Sequence, residues 1–287
     1  MSRARAVPIL LSLAAYLAPA QARAQYEQPW IGRGIPSQQG TSENQLRVAQ
    51  RSLSAAGVRR QAAPQAAGRA TRFMIRVENI SKGEALELSN AQSAPFVSAP
   101  VLWVVHTGST NPIFTGGQRD SGEGLELLAE TGDPSKLVQS LARKSGIVAA
   151  GAYARPVGAT AQGPLTPGQR YEFQIYAQPG MVLSTAWMFG QSNDLFYSND
   201  RPIPLFSSSG KPRSPEITTQ LFLWDAGTEV NEEPGLGPSQ GPRQTTPDAG
   251  VTESQGIAHV RDQYTYPRIG DVLRVTVTPV AESVSAK

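Results

Sequence analysis

Apolar and polar residues alternate along several short segments of this chain, and this pattern predicts β-strands. Phe73, Ile75 and Val77 alternate with more polar neighbours, as expected for a strand with one buried face. Residues 101–105 form a continuous apolar run, which favours a strand buried on both faces. Further strand patterns occupy residues 171–177, 182–189, 217–224 and 271–280.

Helical patterns are confined to one connection. Ser121 is a candidate cap for a helix that contains Leu125, Leu127 and Leu128, and Asp133-Pro134 is a typical start for a second helix. The chain is therefore predicted to be mainly β, an antiparallel β-sandwich of about eight strands with one or two short helices in a crossover connection.

Turn residues and aperiodic segments separate these elements. Leu165-Thr166-Pro167-Gly168 predicts a turn before one strand, and Gln178-Pro179-Gly180 predicts a hairpin that joins two strands. Residues 196–216 and 227–268 lack a regular pattern and are predicted to be two long loops.

The N-terminus has the features of a signal peptide. Arg3 and Arg5 precede an apolar stretch, and Ala22-Arg23-Ala24 is a small-x-small cleavage site before Gln25. We therefore expect export to a periplasm or to the cell exterior. No later apolar segment is long enough to span a membrane, so the mature chain is not expected to be an integral membrane protein.

Composition indicates where the folded domain begins. The region after the cleavage site is rich in Gln, Ala, Arg, Ser, Gly and Pro, and it lacks the large apolar residues needed to offset the entropy of ordering. The predicted segments are a signal peptide (1–24), a disordered basic tether (25–72), a β-sandwich domain (73–280) and a C-terminal tail (281–287).

Charge and cysteine content exclude some classes of protein. The first 72 residues hold ten Arg and two Glu, a net charge of +8, whereas the remaining 215 residues hold 16 basic and 21 acidic residues, a net charge of −5. The folded domain therefore lacks the basic surface of a nucleic-acid-binding protein. Because the chain has no cysteine, neither disulfides nor thiolate metal sites are available.

Acidic residues lie in two short loops that follow predicted strands. Asp194 belongs to the loop 191–196, and Asp225 and Glu229 belong to the loop 224–229. Two carboxylates about 4 Å apart repel by about 4 kcal/mol at an effective dielectric constant of 20, so a converging trio favours a bound cation. Carboxylates and free carbonyls at strand ends are the oxygen ligands that Ca2+ prefers. We predict one Ca2+ ion held by these three residues, with solvated turn acids as the alternative.

Neighbouring polar residues provide alternative ligands. Asn193 or Glu232 is a candidate to complete the metal shell in place of Glu229, whereas Asp200 and Glu233 are typical of solvated turns.

The same loops resemble a known family. Trp224-Asp225-Ala226-Gly227-Thr228-Glu229 resembles the Tyr-Asp-Ala-Gly-Thr-Asp segment of the spondin N-terminal domain family, which includes F-spondin and mindin. Ser192-Asn193-Asp194-Leu195-Phe196 is similar to the family's Ser-Pro-Asp-Trp-Phe, and Tyr266-Pro267-Arg268 is similar to its Tyr-Tyr-Pro-Arg. More loosely, the segment from Glu123-Gly124-Leu125 to Glu130 parallels a helix of the family that contains Asn-Gly-Leu. These matches occur in the family's order across residues 73–280.

The resemblance implies an eight-stranded antiparallel sandwich with calcium held by loops at one end. Asp194 and Asp225 match the family's aspartates, whereas Glu229 replaces an aspartate and Asn193 replaces a proline. Family members bind matrix or cell surfaces, which implies a cell-surface, matrix or glycan ligand for this chain. The function that we expect is an exported, non-enzymatic, calcium-binding module for adhesion or ligand binding, in a bacterial-type single-domain form.

Other functions remain open at this stage. A secreted hydrolase would use Asp194 and Asp225 as acid and base, and a structural envelope protein would use the basic tether to contact acidic lipids or polymers. A triad of Ser192, His106 and Asp225 lacks the nucleophile-elbow motif. His106 and His259 alone are too few for a zinc site.

Overall fold

The computed structural model describes residues 70–281, which form twelve β-strands and three α-helices. In chain order the elements are β1 (Thr71–Asn79), β2 (Leu86–Glu87), β3 (Ser93–Ala94), β4 (Val101–His106), α1 (Leu125–Thr131), α2 (Ser135–Leu141), β5 (Ile147–Tyr153), β6 (Arg170–Ala177), β7 (Val182–Met188), β8 (Leu195–Asn199), β9 (Ile203–Pro204), a 3₁₀ turn (Thr218–Gln220), β10 (Leu221–Asp225), β11 (Ala258–His259), α3 (Ile269–Val272) and β12 (Leu273–Pro279).

The strands form two main antiparallel sheets. The small sheet has the order β12-β1-β6, and the large sheet has the order β11-β10-β8-β7-β4-β5, with β9 paired to β7. One apolar cluster contains Phe73 and Phe173 from the small sheet together with Trp103 and Trp187 from the large sheet. The two sheets therefore pack face to face, which confirms the predicted mainly β, antiparallel fold.

Helices α1 and α2 cover the outer face of the large sheet. A second apolar cluster contains Leu102, Val104 and Ala186 from this sheet, with Leu125 and Leu141 from the helices. Strand β4 therefore lies between two cores, which explains why its residues form a continuous apolar run and confirms its predicted burial on both faces.

The strand predictions were largely confirmed. Eight of the twelve strands have five or more residues, in agreement with the predicted number. β5 was missed because its sequence, Ile-Val-Ala-Ala-Gly-Ala-Tyr, does not alternate clearly, and Gly151 is required by the indole of Trp103 on the paired strand. A Cβ at Gly151 would lie 2.7 Å from that ring.

Some local predictions were wrong, and the predicted strands 217–224 and 271–280 begin only at Leu221 and Leu273. Residues 196–199 belong to β8 rather than to a loop. The turn at 178–180 does not form a hairpin, because β6 pairs within the small sheet and β7 lies in the large one; the turn carries the chain across the sandwich. Helix α1 begins after Gly124 instead of near Ser121.

The remaining predictions concern membrane-spanning helices and the limits of the folded domain. None of the helices in residues 70–281 has the length and apolar composition that crossing a membrane requires. The predicted signal peptide, most of the predicted tether and residues 282–287 lie outside the described residues. Strand β1 begins at Thr71, two residues before the predicted domain boundary.

Candidate metal centre

Asp194 and Asp225 lie at the same end of the large sheet because of the register between β8 and β10. In this antiparallel pair Asp225 is opposite Leu195, the residue after Asp194. The register continues beyond the strands, where the Ala226 amide donates to the Asp194 carbonyl over 3.2 Å. Two loops that are 31 positions apart in sequence therefore meet, as the strand-end pattern predicted.

The turn after β10 fixes the Asp225 side chain. Its Oδ1 accepts a hydrogen bond of 2.7 Å from the Gly227 amide, an Asx turn. Gly227 has a φ of +70°, and a Cβ there would lie 2.8 Å from the Gln255 carbonyl oxygen. Glycine is therefore needed for both the backbone conformation and the close approach of the neighbouring segment. The Asp225 Oδ2 accepts a hydrogen bond of 2.6 Å from the Asn231 side-chain amide.

Asp194 is fully buried, which is unusual for an aspartate. Its Oδ2 accepts three hydrogen bonds, from the Thr228 amide at 3.0 Å, the Thr228 hydroxyl at 3.2 Å and the Glu229 amide at 3.1 Å. Its Oδ1 has no hydrogen-bond partner among the described residues. One carboxylate oxygen therefore anchors the second loop, and the other is left without a donor.

Burial raises the pKa of Asp194 well above its usual range, and the neighbouring Asp225 carboxylate raises the pKa further. The three hydrogen bonds to Oδ2 act in the opposite direction. Burial also raises the pKa of Asp225, again against its hydrogen bonds from Gly227 and Asn231. Without a metal, burial and repulsion therefore disfavour the state in which both carboxyl groups are ionised.

Glu253 supplies a third carboxylate. One oxygen from each of Asp194, Asp225 and Glu253 lies within 4.8 Å of the others. Glu253 is placed by an antiparallel pairing of two segments of the predicted loop 227–268. Its amide donates to the Thr228 carbonyl over 2.8 Å, and the Gln255 amide donates to the Gly227 carbonyl over 2.9 Å.

Glu253 was not among the predicted ligands. It lies in Val-Thr-Glu-Ser-Gln, which has no apolar alternation, and its partner segment begins more than 20 residues earlier. No local pattern in the sequence distinguishes Glu253 from the other acids of the predicted loop 227–268.

Glu229 does not belong to this group of three carboxylates. Its backbone amide supports Asp194, but its Oε1 accepts a hydrogen bond of 2.6 Å from the Gly250 amide. The part of Glu229 that lies against Asp194 is therefore its backbone, and its role as a metal ligand stays a prediction.

The side chains of Asn193 and Glu232, the two alternative ligands, form hydrogen bonds with backbone groups of the loops. The Asn193 side-chain amide donates to the Val230 carbonyl over 2.9 Å, and its Oδ1 accepts from the Glu232 amide over 3.4 Å. The Glu232 Oε2 accepts a hydrogen bond of 2.9 Å from the Ser239 amide. In this arrangement both residues hold loop segments together.

The donor set of the group fits a hard divalent cation. All three side chains offer carboxylate oxygens, and the Asp194 Oδ1 is buried without a donor. Ca2+ takes six to eight oxygen ligands in flexible geometry, so backbone carbonyls and water would complete its shell. An ion at this position would tie together the loop before β8, the turn after β10 and the segment that contains Glu253.

Ser192 and His106, which a catalytic triad with Asp225 would require, make separate contacts. The Ser192 hydroxyl donates to the Phe189 carbonyl over 2.7 Å and accepts from the Leu195 amide over 3.1 Å. The His106 Nε2 lies 2.9 Å from the Ser184 hydroxyl, and burial lowers the pKa of His106. This histidine is part of a buried polar contact on β4 and β7.

Comparison with known proteins adds no family. No protein-family model matches the chain, and no curated protein matches it significantly. The resemblance to the spondin N-terminal domain therefore rests on the motifs given above.

Proposed function

We propose that the chain is an exported, calcium-binding, non-enzymatic β-sandwich module for adhesion or ligand binding, of the spondin N-terminal type. The observation that carries the proposal is the convergence of Asp194, Asp225 and Glu253 from three segments, together with the unpartnered, buried Oδ1 of Asp194. A cation is the partner that such an oxygen set best accommodates.

Calcium would act as a crosslink between loops. Without it, repulsion and burial of the carboxylates oppose the folded geometry, as the raised pKa values of Asp194 and Asp225 indicate. With it, the same charges become ligands that hold the end of the sandwich rigid. The loops would then present a fixed surface to a partner.

The surface beside the site is partly apolar. Val230 and Val251 are paired through a backbone hydrogen bond of 2.7 Å, and their side chains are 47% and 72% exposed. Val230 follows Glu229 directly, and Val251 lies two residues before Glu253. We propose this edge as the contact region for a cell-surface, matrix or glycan ligand.

Burial of Asp194 favours binding over hydrolysis. A general acid or base must reach the substrate, but Asp194 has no exposed surface, and its Oδ2 is used to hold the adjacent loop. Both oxygens of Asp225 accept hydrogen bonds from the protein. The pair is better suited to share an ion than to exchange protons with a sugar or ester.

Thermal melting of the purified chain tests this proposal. We expect a higher melting temperature in calcium than in chelator, with smaller shifts in magnesium or zinc. Asp225→Asn should reduce the calcium shift, whereas the matched control Asp200→Asn should retain it in full, because Asp200 is an exposed residue just beyond the opposite end of β8. An equal calcium shift in both variants would contradict the proposed site.

The ligand is tested separately. We expect the chain to be retained on immobilised polysaccharides or extracellular matrix in calcium and to be released by chelator. Val251→Asp should reduce retention without reducing calcium affinity. Hydrolysis of these polymers that is abolished by Asp225→Asn would instead support the hydrolase alternative.

A further inference from the structure

A second group of acidic residues lies where α1 meets the long loop between β10 and β11. One carboxylate oxygen from each of Glu126, Glu130 and Asp248 lies within 4.8 Å of the others. Glu126 and Glu130 are one turn apart on α1 and thus share a helix face. Asp248 reaches them from 118 positions further along the chain, where its amide donates to the Glu130 Oε2 over 3.1 Å.

Glu130 is the unusual member of this group. It is only 1% exposed, although it lies on a seven-residue helix beside two other acids. Its Oε1 has no hydrogen-bond partner among the described residues, and no basic side chain forms a salt bridge with it there. Burial raises the pKa of Glu130 to about 8, with smaller contributions from the Glu229, Asp248 and Glu126 carboxylates.

Two further oxygens without donors lie near Glu130. The Gln244 amide nitrogen donates to the Glu130 carbonyl over 2.9 Å, while the Gln244 Oε1 is buried and unpartnered within the described chain. Glu229 is 3% exposed, and its Oε2 also has no partner there. The charge of Glu229 acts on both Glu126 and Glu130. This part of the molecule is therefore rich in buried acceptors and poor in donors.

We propose that Glu126, Glu130 and Asp248 hold a second hard divalent cation, of which Ca2+ is the expected one. Carboxylate oxygens alone point to calcium, magnesium or manganese. Calcium is favoured because it tolerates an irregular set of ligands drawn from a helix and a loop, whereas magnesium requires near-ideal octahedral geometry.

A shared proton is the competing explanation. A protonated Glu130 would donate from Oε1 to a neighbouring carboxylate and would relieve the repulsion without a metal. The two explanations differ in what is bound to the protein in calcium at neutral pH, which is measured directly.

The ligands proposed for the second site are different residues from those of the first. The sites nevertheless share a segment, since Asp248 belongs to one group and Glu253, five residues later, belongs to the other. The Glu229 backbone contacts Asp194, and its side chain accepts a hydrogen bond from Gly250 between the two groups. Ordering this segment in one site therefore favours the geometry of the other.

Calcium stoichiometry tests the proposal. Equilibrium dialysis and titration calorimetry on the purified chain should give two ions per wild-type molecule. Glu130→Gln should give one, and so should Asp225→Asn. The double variant should bind none. Glu123→Gln is the matched control, because it neutralises a glutamate that lies just before α1 and pairs with Lys144, and it should retain two ions.

Asp248→Asn provides a second variant if Glu130→Gln folds poorly. Asp248 is exposed and has a φ of +57°, a conformation that asparagine also tolerates. The Asp248→Asn variant should likewise bind one ion. If both variants retain the wild-type stoichiometry, the second site is absent and the buried Glu130 is held by a proton. If wild type binds one ion and Asp225→Asn binds none, while Glu130→Gln still binds one, then only the first site exists. That result would overturn this inference and leave the proposed function intact.

Discussion

The two acidic groups solve the same electrostatic problem with different amounts of protein support. In the first, the Asp194 Oδ2 accepts three hydrogen bonds and the Asp225 carboxylate accepts two. In the second, the Glu130 carboxylate accepts one hydrogen bond, from the Asp248 amide. The first group is thus largely organised by backbone amides before any ion arrives, whereas the second depends more strongly on an ion or a proton.

This difference follows from the elements that carry the acids. Loop residues beside strand ends have free amides that point toward a carboxylate, because the sheet ladder has ended there. A helix interior uses its amides internally, so the carboxylates of α1 must find donors elsewhere. We therefore expect loss of metal to affect the two regions unequally.

The largest expected effect is that of calcium itself. At 100 times the dissociation constant, each filled site adds about 2.7 kcal/mol to the free energy of unfolding. We expect Asp225→Asn and Glu130→Gln each to lose roughly one site's share, as measured by denaturant unfolding with and without calcium. Equal stabilisation of wild type and both variants would remove the basis for two sites.

The next largest effect concerns the free energy of unfolding without metal, to which hydrogen bonds between the loops contribute. Asp194→Ala leaves the amides of Thr228 and Glu229 buried without their acceptor, so we expect a loss of about 1–3 kcal/mol in chelator. Glu130→Gln in chelator should be neutral or stabilising, because glutamine replaces a buried acid that stands beside two other acids. Denaturant unfolding in chelator compares the two directly, and a greater loss for Glu130→Gln would reverse the proposed difference in support.

A smaller effect distinguishes the third ligand of the first group. Glu253→Gln should weaken calcium binding at the first site by about tenfold, equivalent to about 1.4 kcal/mol. Glu229→Gln should leave that site's affinity nearly unchanged, since the carboxylate accepts a hydrogen bond from Gly250. Calorimetry in a Glu130→Gln background isolates the first site. The opposite ranking would restore Glu229 as the ligand.

A separate effect is the pH dependence of metal-free stability. The pKa of Glu130 is raised from 4.5 to about 8, so its contribution is fully present below pH 4.5 and is lost as pH rises through about 8. Asp194 and Asp225 have the same sign. Glu172, whose pKa is lowered by its hydrogen bond with Arg170 and by the charge of Arg76, contributes in the opposite sense.

We therefore expect wild-type stability in chelator to fall between pH 5 and 8, and to fall less in Glu130→Gln. Melting temperatures across this range provide the measurement. Identical slopes for the two proteins would show that Glu130 does not titrate there.

The sequence predicts best those features that local patterns determine. The alternation in β1, the continuous apolar run of β4 and the position of Asp194 and Asp225 at strand ends all follow from adjacent residues. The failures involve long-range pairing. Glu253 joins the first group through a pairing with residues 227–230, and Asp248 reaches α1 across 118 positions. The crossing from β6 in the small sheet to β7 in the large sheet likewise depends on packing. The tight turn between them is compatible with either a hairpin or a crossing between sheets.

Glu130 is a partial exception, because its spacing from Glu126 was visible in the sequence. Two acids one helical turn apart repel each other, and a bound cation would relieve that repulsion. The signal was incomplete because burial of Glu130 is set by the loop that covers it.

Anomalous diffraction from a crystal grown in calcium tests the central claim most directly. We expect an anomalous peak for one Ca2+ ion that lies 2.3–2.6 Å, the distance typical of calcium, from carboxylate oxygens of both Asp194 and Asp225. The contradicting result is a well-ordered loop region without a peak, in which these two carboxyl groups are bonded to each other through a proton.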